Sequence, residues 1–464
     1  MNKPKSNTIN FHGLSLSLED LYCHVCITGR PGSGKSRGCV APLVKQLLGL
    51  NSQDPSLKAG LFAIDGKGSE LRGYIESALR AAGREKDLVV IGPKDSIFNP
   101  LGDPTWDDVK IANELIHAAS FLGGERFQSP KASDPFWDRA MRDVLTALVA
   151  VAKHTLIAES RNAGASAPDV LTIDHLVRLR PFLTKPDREI LKMAQEMATL
   201  LEEDIGASLI EYASLPPVTR QSVASSVGPN LAPFGRSPLR DVLIPHEGRA
   251  EADLRTIISE GKVVLLDVGE AENSIELLPA AVLAKACFAR MVLSRKRKAA
   301  NQTRPVFALF EELQKVLTPQ TSSPACEANW MDTCRWCRCG VVLSTQGISS
   351  LLAVAAQPLV ETIISLCATQ MWLGSSDPSS GTYAARCFGT KTTYQAHRTP
   401  SRSLPPPLLF PRDDESDFND TRVLVPVSLP VLSPEKLART PPGTIHLRMR
   451  DGSTHTVKAD LSAQ

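Results

Sequence analysis

The sequence predicts an α/β protein, a doubly wound and largely parallel sheet with an all-α region inserted into it. Three observations predict this. The stretch "GRPGSGKS", residues 29 to 36, matches the pattern G-x-x-x-x-G-K-[ST] without an error; it follows the apolar run "LYCHVCIT" and precedes "RGCVAPLVKQLLG", which can continue as a helix. Short continuous apolar runs recur along the chain with helical patterns between most of them, as expected of strands buried on both faces. Between about residue 103 and about residue 255 that alternation stops and helical patterns alone continue.

Taken in order, the strand candidates are "CHVCITG" (23–29), "GLFAID" (60–65), "DLVVIG" (87–92), "KVVLLDVG" (262–269), "PVFALFEE" (305–312), "CGVVLSTQ" (339–346) and "TQMWLG" (369–374). Each is built on a continuous apolar run and ends in a polar residue or glycine. The patterns "ELRGYIESALRAAG" (70–83) and "LLPAAVLAKACFARMVLSRKRK" (277–298) read as helices. Strand and helix alternating in this way place ligands at the carboxyl ends of the strands. The interrupted stretch carries "FWDRAMRDVLTALVAVAKHTLIA" and "DREILKMAQEMATLLEEDIGASLIEYASL", with Pro-rich breaks and no convincing strand. After residue 398 "TPSRSLPPPLLFPRDDESDFND" reads as an extended Pro-rich, then acidic, linker, and "IHLRMRDGSTHTVKADL" as a terminal hairpin about Asp451-Gly452. The expected division is therefore residues 1–102 and 256–398 for the two parts of the sheet domain, 103–255 for the helical insertion and 399–464 for linker and hairpin.

At 464 residues a single small module is excluded. Lys plus Arg number 52 against 50 acidic residues, so the net charge of +2 marks no nucleic-acid binder, and any basic surface is local. The start "MNKPKSNTINFHG" has no apolar signal region, and the most membrane-like run, "LLAVAAQPLVETIISLCATQMWL" from 351, is broken by Gln357, Pro358 and Glu361. It reads as a buried helix followed by a strand, and the chain as cytosolic. Ten cysteines without a secretion signal read as thiols. Cys326, Cys334, Cys337 and Cys339 hold enough sulfur for a zinc site if a loop folds back, but no second C-x-x-C or spaced His pair follows. Cys23 and Cys26 point to opposite faces of one strand and share no metal.

The chemistry concentrates on the loop. Gly29, Gly32 and Gly34 permit positive φ and close backbone approach, so that the stretch Gly29, Arg30, Pro31, Gly32, Ser33, Gly34, Lys35, Ser36 and Arg37 can cradle phosphate oxygens with its N–H groups, Pro31 alone having none to give. Lys35 supplies a point charge to the β/γ phosphates, Ser36 a hydroxyl to Mg²⁺, and the helix opening there its positive dipole end. The bland alternative is a Gly-rich turn with an accidental Lys-Ser. A metal carboxylate and a water-activating carboxylate are expected at a neighbouring strand end; "VFALFEELQ" offers Glu311 for the metal and Glu312 for the water, with Asp267 competing for the metal role. Gln346, ending "VVLSTQ", could feel the γ-phosphate or position water.

This order of motifs resembles the conjugative coupling proteins of type IV secretion systems, the VirD4, TraG and TraD group related to FtsK and HerA DNA pumps. The likeness runs from about residue 20 to about 455 and includes "AIDGKGSEL", "FNPL" (98–101), "DPFW" (134–137), "TRQSVASSVGPNLAPF" (219–234) and "LSPEKLARTPPGTIHLRMRDG". It implies a RecA-like ATPase domain with an all-α insertion, a homo-hexamer around a channel, and ATP-driven delivery of DNA or a relaxase–DNA substrate to channel components. It makes Lys35 and Ser36 the Walker A pair, Glu311 and Glu312 the Walker B pair, and Gln346 the polar strand-end residue. Glu311 departs from the usual Asp, and the family's N-terminal membrane helices are missing, so the chain is expected in the cytoplasm or peripherally at the inner membrane through partners. Arg335 and Arg338 miss the usual spacing of a trans arginine, and Arg220 is a further candidate.

The DNA assignment rests on the resemblance. The densest basic run, Arg295 to Lys298, either faces DNA backbone or is a solvated helix end. Three readings stand: a coupling ATPase, a soluble HerA-like or FtsK-like DNA motor, and a weakly hydrolysing recruiting protein, the last favoured by Glu311.

Overall fold

The computed structural model describes residues 7–68, 70–103, 106–121, 135–162, 170–268, 275–295, 303–400 and 420–462. The chain opens with a small hairpin, β1 (Thr8–Phe11) and β2 (Leu14–Ser17). The apolar runs read from the sequence are all strands: β3 (Val25–Thr28), β4 (Gly60–Asp65), β5 (Leu88–Ile91), β6 (Val263–Asp267), β7 (Val306–Glu311), β8 (Cys339–Thr345) and β9 (Thr369–Trp372). A ribbon of β10 (Thr390–Pro400) and β11 (Asp420–Pro430) follows, then β12 (Thr444–Arg448) and β13 (Thr454–Lys458).

The main sheet has nine strands in the order β13-β12-β9-β3-β8-β7-β4-β6-β5. From β9 to β5 every neighbouring pair is parallel, and β12 and β13 extend it antiparallel beyond β9. β3, β4, β7, β8 and β9 are buried along their whole length, which is why they read as unbroken apolar runs. Alternate residues of one strand serve two cores. In β4, Leu61 and Ala63 join the face covered by the helices Ala41–Gly49 and Glu70–Ala82, while Phe62 and Ile64 join the opposite face. On that second face lie Leu278–Leu293 and the helices between β5 and β6, including Asp108–Ser120, Pro135–Asn162, Asp187–Ala198, Glu203–Ser214 and Pro217–Leu231. Among the described residues between β5 and β6 no strand occurs, and Ile97 and Glu251 form an isolated bridge.

Two hairpins escape the sequence reading, and one of them pairs the residues on either side of the stretch read as a linker from 399. Residues 390–400 pair with 420–430 in an eleven-residue antiparallel ribbon separate from the main sheet; residues 401–419 lie outside the described residues. The ribbon buries neither face well, with Tyr394 at 68% and Leu424 at 64% exposure, so it carries no in–out alternation to read. The β1–β2 turn is the dipeptide His12-Gly13, both at positive φ (47° and 87°), a type of turn that a Gly in second place signals. Among the described residues no helix is long and apolar enough to cross a membrane; the run from 351 is interrupted into Gln357–Leu366 and β9.

A charged pair is buried inside the second core. Lys285, on Leu278–Leu293, and Glu327, at the start of the helix Glu327–Cys334, are both fully buried with Nζ 2.5 Å from Oε1. Nζ also donates to Thr318 Oγ1 at 2.8 Å and to the Val316 carbonyl, and Glu327 Oε2 accepts from the Thr318 N–H at 3.2 Å. Lys285→Met should destabilise the protein by about 3–5 kcal/mol in urea unfolding, because it removes the buried Glu327 carboxyl's ion-pair partner. The double variant Lys285→Met with Glu327→Leu should be more stable than Lys285→Met alone.

Candidate active site

The loop 29–35 lies at the carboxyl end of β3, where backbone conformation and packing both demand glycine. Gly32 and Gly34 have φ of 74° and 96°. At Gly29 a Cβ would come within 2.7 Å of Ser33 Oγ and 2.8 Å of Leu373 Cβ. Lys35 is buried and folds its ammonium back over the loop, donating to the Gly29 carbonyl at 2.5 Å and the Arg30 carbonyl at 3.3 Å. Burial lowers its pKa, and the Glu312 charge partly offsets that. Arg30, Pro31, Gly32 and Arg37 are exposed, whereas Ser33 is buried.

The helix after the loop opens as one wide π-turn, Ser36–Val40, before the regular helix Ala41–Gly49. Pro42 explains a partner the regular helix cannot supply. It lacks the N–H that would bond the Gly38 carbonyl four residues back, and His12 from the β1–β2 turn fills that position, its Nε2 2.7 Å from Gly38 O. The sequence expectation was of a simple helix; the N-terminal hairpin that completes it was missed.

Across the strand ends, Ser36 Oγ donates to Glu311 Oε1 at 2.6 Å. Glu311 is 1% exposed and its Oε2 is buried without a hydrogen-bond partner. Burial pushes this carboxyl up to about 7; the Ser36 hydroxyl pulls the other way, and the Asp65 charge adds to the rise. Glu312 turns out of β7 into the left-handed region, with φ 57° and ψ 53°, a costly conformation for a non-glycine residue. Its Oε2 accepts from Gln346 Nε2 at 2.8 Å and from Gln314 Nε2, and Gln314 Oε1 accepts from Thr345 Oγ1 at 2.9 Å.

Sheet order sets Glu311 and Asp267 at different distances from the loop. β7 is two strands from β3 and β6 is four, so at about 4.8 Å per strand their ends lie roughly 10 and 19 Å away. Glu311 reaches Ser36, and Asp267, in register with Asp65 and not with the loop, does not. The expected neighbouring-strand carboxylate thus sits one strand further off, because β8 with Gln346 lies between β3 and β7.

The sequence reading passed over Asp65 and Gln314 as individual residues. Asp65 is fully buried, and its carboxylate accepts from the N–H groups of Lys67 (2.8 Å), Gly68 (3.0 Å) and Leu71 (3.3 Å), shaping the "DGKG" turn. An Asp followed at one and three residues by glycine was the available signal. Arg220 does not reach the loop. It is buried in the helical region, donating to the Ala213 and Leu215 carbonyls at 3.3 Å and pairing with Asp187. Arg335 and Arg338 precede β8, at the end of the sheet opposite the loop. Arg295 donates to the Arg304 carbonyl at 2.7 Å, and Lys296 to Lys298 lie outside the described residues. Cys326, Cys334 and Cys339 are buried, Cys337 is half-buried, and among the described residues no group of three or more His, Cys, Asp and Glu could hold a metal ion.

The chain matches no protein-family model and no curated protein sequence. Among solved structures it is similar to the unbound bacterial conjugative coupling protein TrwBΔN70, at 15% identity and a TM-score of 0.64, covering 100% of this chain and 90% of that one. It is likewise similar to the plasmid coupling protein TrwB in complex with ADP and Mg²⁺ (14%, TM-score 0.63, 100% and 91%). VirB4 of Thermoanaerobacter pseudethanolicus matches at 12%, with a TM-score of 0.54 and coverage of 99% and 98%. At these identities the likeness is one of fold, and the RecA-like P-loop α/β class stands.

The raised Glu311 carboxyl has a consequence for stability. Folded Glu311 holds its proton more tightly than the unfolded chain does, so this contribution is complete below about 4.5 and is lost as pH rises through about 7. Glu311→Gln should therefore stabilise the ligand-free protein at pH 8 by up to about 3 kcal/mol and leave it unchanged near pH 4.5, read from denaturant midpoints at the two pH values.

Proposed function

We propose that the protein is an ATPase of the type IV secretion and conjugation class, coupling ATP hydrolysis to delivery of DNA, or of a relaxase–DNA substrate, to a secretion channel. The observation that carries the reading is the contact from Ser36 to Glu311, with Glu312 and Gln346 joined beside it. A Gly-rich turn with an accidental Lys-Ser has no reason to meet a buried carboxylate from a strand two places away. The fold likeness to a coupling protein solved with ADP and Mg²⁺, and with non-hydrolysable ATP and GTP analogues, supports the same reading.

In this reading the N–H groups of residues 29–37, Pro31 excepted, and the Lys35 ammonium hold the phosphates. The donor set suits Mg²⁺, a hard cation that favours oxygen: Ser36 Oγ and the Glu311 carboxylate, whose Oε2 is buried and unpartnered, would hold it. Bound there, Mg²⁺ would neutralise phosphate charge. Glu312 accepts the proton of the attacking water, and Gln346 orients that carboxylate through its amide. Residues 103–255 serve as a helical module on one face of the motor domain, and six copies enclose a DNA channel with backbone contacts only. The weakly hydrolysing reading keeps one specific support, the Glu311 side chain where the family has Asp.

Turnover of Mg-ATP with and without DNA is the test. Lys35→Ala should lower kcat/KM by about 100-fold or more. Glu312→Gln should keep ATP binding while kcat falls by about 10²–10⁴. Glu311→Asp should be tolerated or faster, and Asp267→Asn should cost less than Glu312→Gln. A Lys35→Ala protein that is folded and fully active would sink the nucleotide-site reading. Tight ATP binding without turnover, even with DNA and the assembled oligomer, would leave the recruiting protein as the better account.

A further inference from the structure

We propose that Gln314 is a positioning residue for hydrolysis, whose side-chain amide, together with that of Gln346, fixes one oxygen of the Glu312 carboxylate and leaves the other for the reacting water. The proposal rests on the reading of Glu312 as the water-activating carboxylate. Neither the sequence motifs nor the structural likeness assigns Gln314 any role.

The geometry is a closed circuit across two strand ends. Glu312 leaves β7 in a left-handed conformation, and Gln314 follows on the short helix Leu313–Val316. The amide nitrogens of Gln314 and Gln346 converge on the same atom, Oε2 of Glu312. Gln314 Oε1 in turn accepts from the hydroxyl of Thr345, a buried residue at the end of β8 directly before Gln346. This arrangement sets the amide's orientation. Turned over, Gln314 would press its carbonyl oxygen against a carboxylate oxygen, and acceptor would face acceptor.

One amide alone leaves a carboxylate free to rotate about its bond to the chain, whereas two donors on one oxygen define the plane in which the second oxygen lies. A general base gains from such restraint because its proton-accepting oxygen must stay within hydrogen-bond reach of the water. Among the described residues the charged groups that face Glu312 include Lys35 of the loop, Lys67 of the turn after β4 and neighbouring Glu311. None of them donates a hydrogen bond to its carboxylate in this structure, so the two amides do the orienting.

The backbone around Gln314 is held independently of its side chain. Lys315 Nζ donates to the Gly66 carbonyl at 2.8 Å, and the buried Lys285 ammonium donates to the Val316 carbonyl. Replacement of the Gln314 amide therefore removes the carboxylate restraint while the segment stays in place.

The test measures Mg-ATP turnover of the full chain for Gln314→Met, Thr345→Val, Thr345→Ser, the pair Gln314→Met with Thr345→Val, and Glu312→Gln. Gln314→Met should lower kcat by about 10-fold with KM for ATP within about 2-fold and the melting temperature unchanged. Thr345→Val should lose turnover in the same way, Thr345→Ser should recover most of it, and the pair should be no worse than Gln314→Met alone, because both act through one restraint. Wild-type kcat in Gln314→Met beside an inactive Glu312→Gln would overturn the role of Gln314 and leave that of Glu312 standing. Wild-type kcat in Glu312→Gln would overturn both. A Gln314→Met protein whose kcat, KM and melting temperature all change together, with purely additive effects in the pair, would make Gln314 a structural stitch and refute the proposal.

Discussion

The 2.6 Å hydrogen bond from Ser36 to Glu311 constrains more of this protein than any other single contact. It joins the first residue of the helix after the loop to the last residue of β7, with β8 lying between their strands. Two strand spacings amount to about 10 Å, and a hydroxyl and a carboxylate can bridge that gap only if the loop leans over β8; the carboxylate that meets it is Glu311. Its burial follows, since a carboxylate held under the loop and beside Asp65 is removed from water, and the raised Glu311 pKa is the electrostatic result.

The rest of the architecture can be understood as holding the two sides of that contact still. On the loop side, both ends of the described chain act as props. His12 satisfies the carbonyl that Pro42 leaves open. From the other end, the Gly443 N–H bonds the Ser33 carbonyl at 2.9 Å, and a Cβ on Gly34 would lie 3.2 Å from both Gly443 N and Leu461. On the carboxylate side, the segment after Glu312 is pinned by Lys315 to Gly66 and by Lys285 to Val316 and Thr318. Fixing that segment is what lets Glu312 persist in a left-handed conformation next to a regular strand. A buried ion pair is weak as a source of stability, but here its hydrogen bonds go to the chain that leads away from the site.

Much of the fold was legible because burial on both faces leaves a direct mark on sequence. β3, β4, β7, β8 and β9 are continuous apolar runs, since a central parallel strand has no solvent side to encode. The ribbon of β10 and β11 was not legible for the opposite reason: with Tyr394 and Leu424 exposed, nothing selects one face over the other. The β1–β2 hairpin announced itself only through His12-Gly13, and its strands of four residues are too short for periodicity to register.

The sequence by itself determined the loop and the identities of its chemical groups, because Gly32, Gly34, Lys35 and Ser36 act through local backbone geometry and through neighbours within a few residues. It determined too that an acidic pair closes β7. Which acid meets Ser36 was decided only by the tertiary structure: Glu311 and Asp267 both end apolar strands, and strand order, which depends on long-range pairing, brings one within reach and carries the other two strands further off. The same holds for Arg220, whose guanidinium could be judged only once its carbonyl partners were folded around it. Gln314 is the clearest case, because its meaning lies in Thr345, 31 residues away, and hydrogen-bond partners at that separation are set by sheet register and leave no periodic trace in the chain.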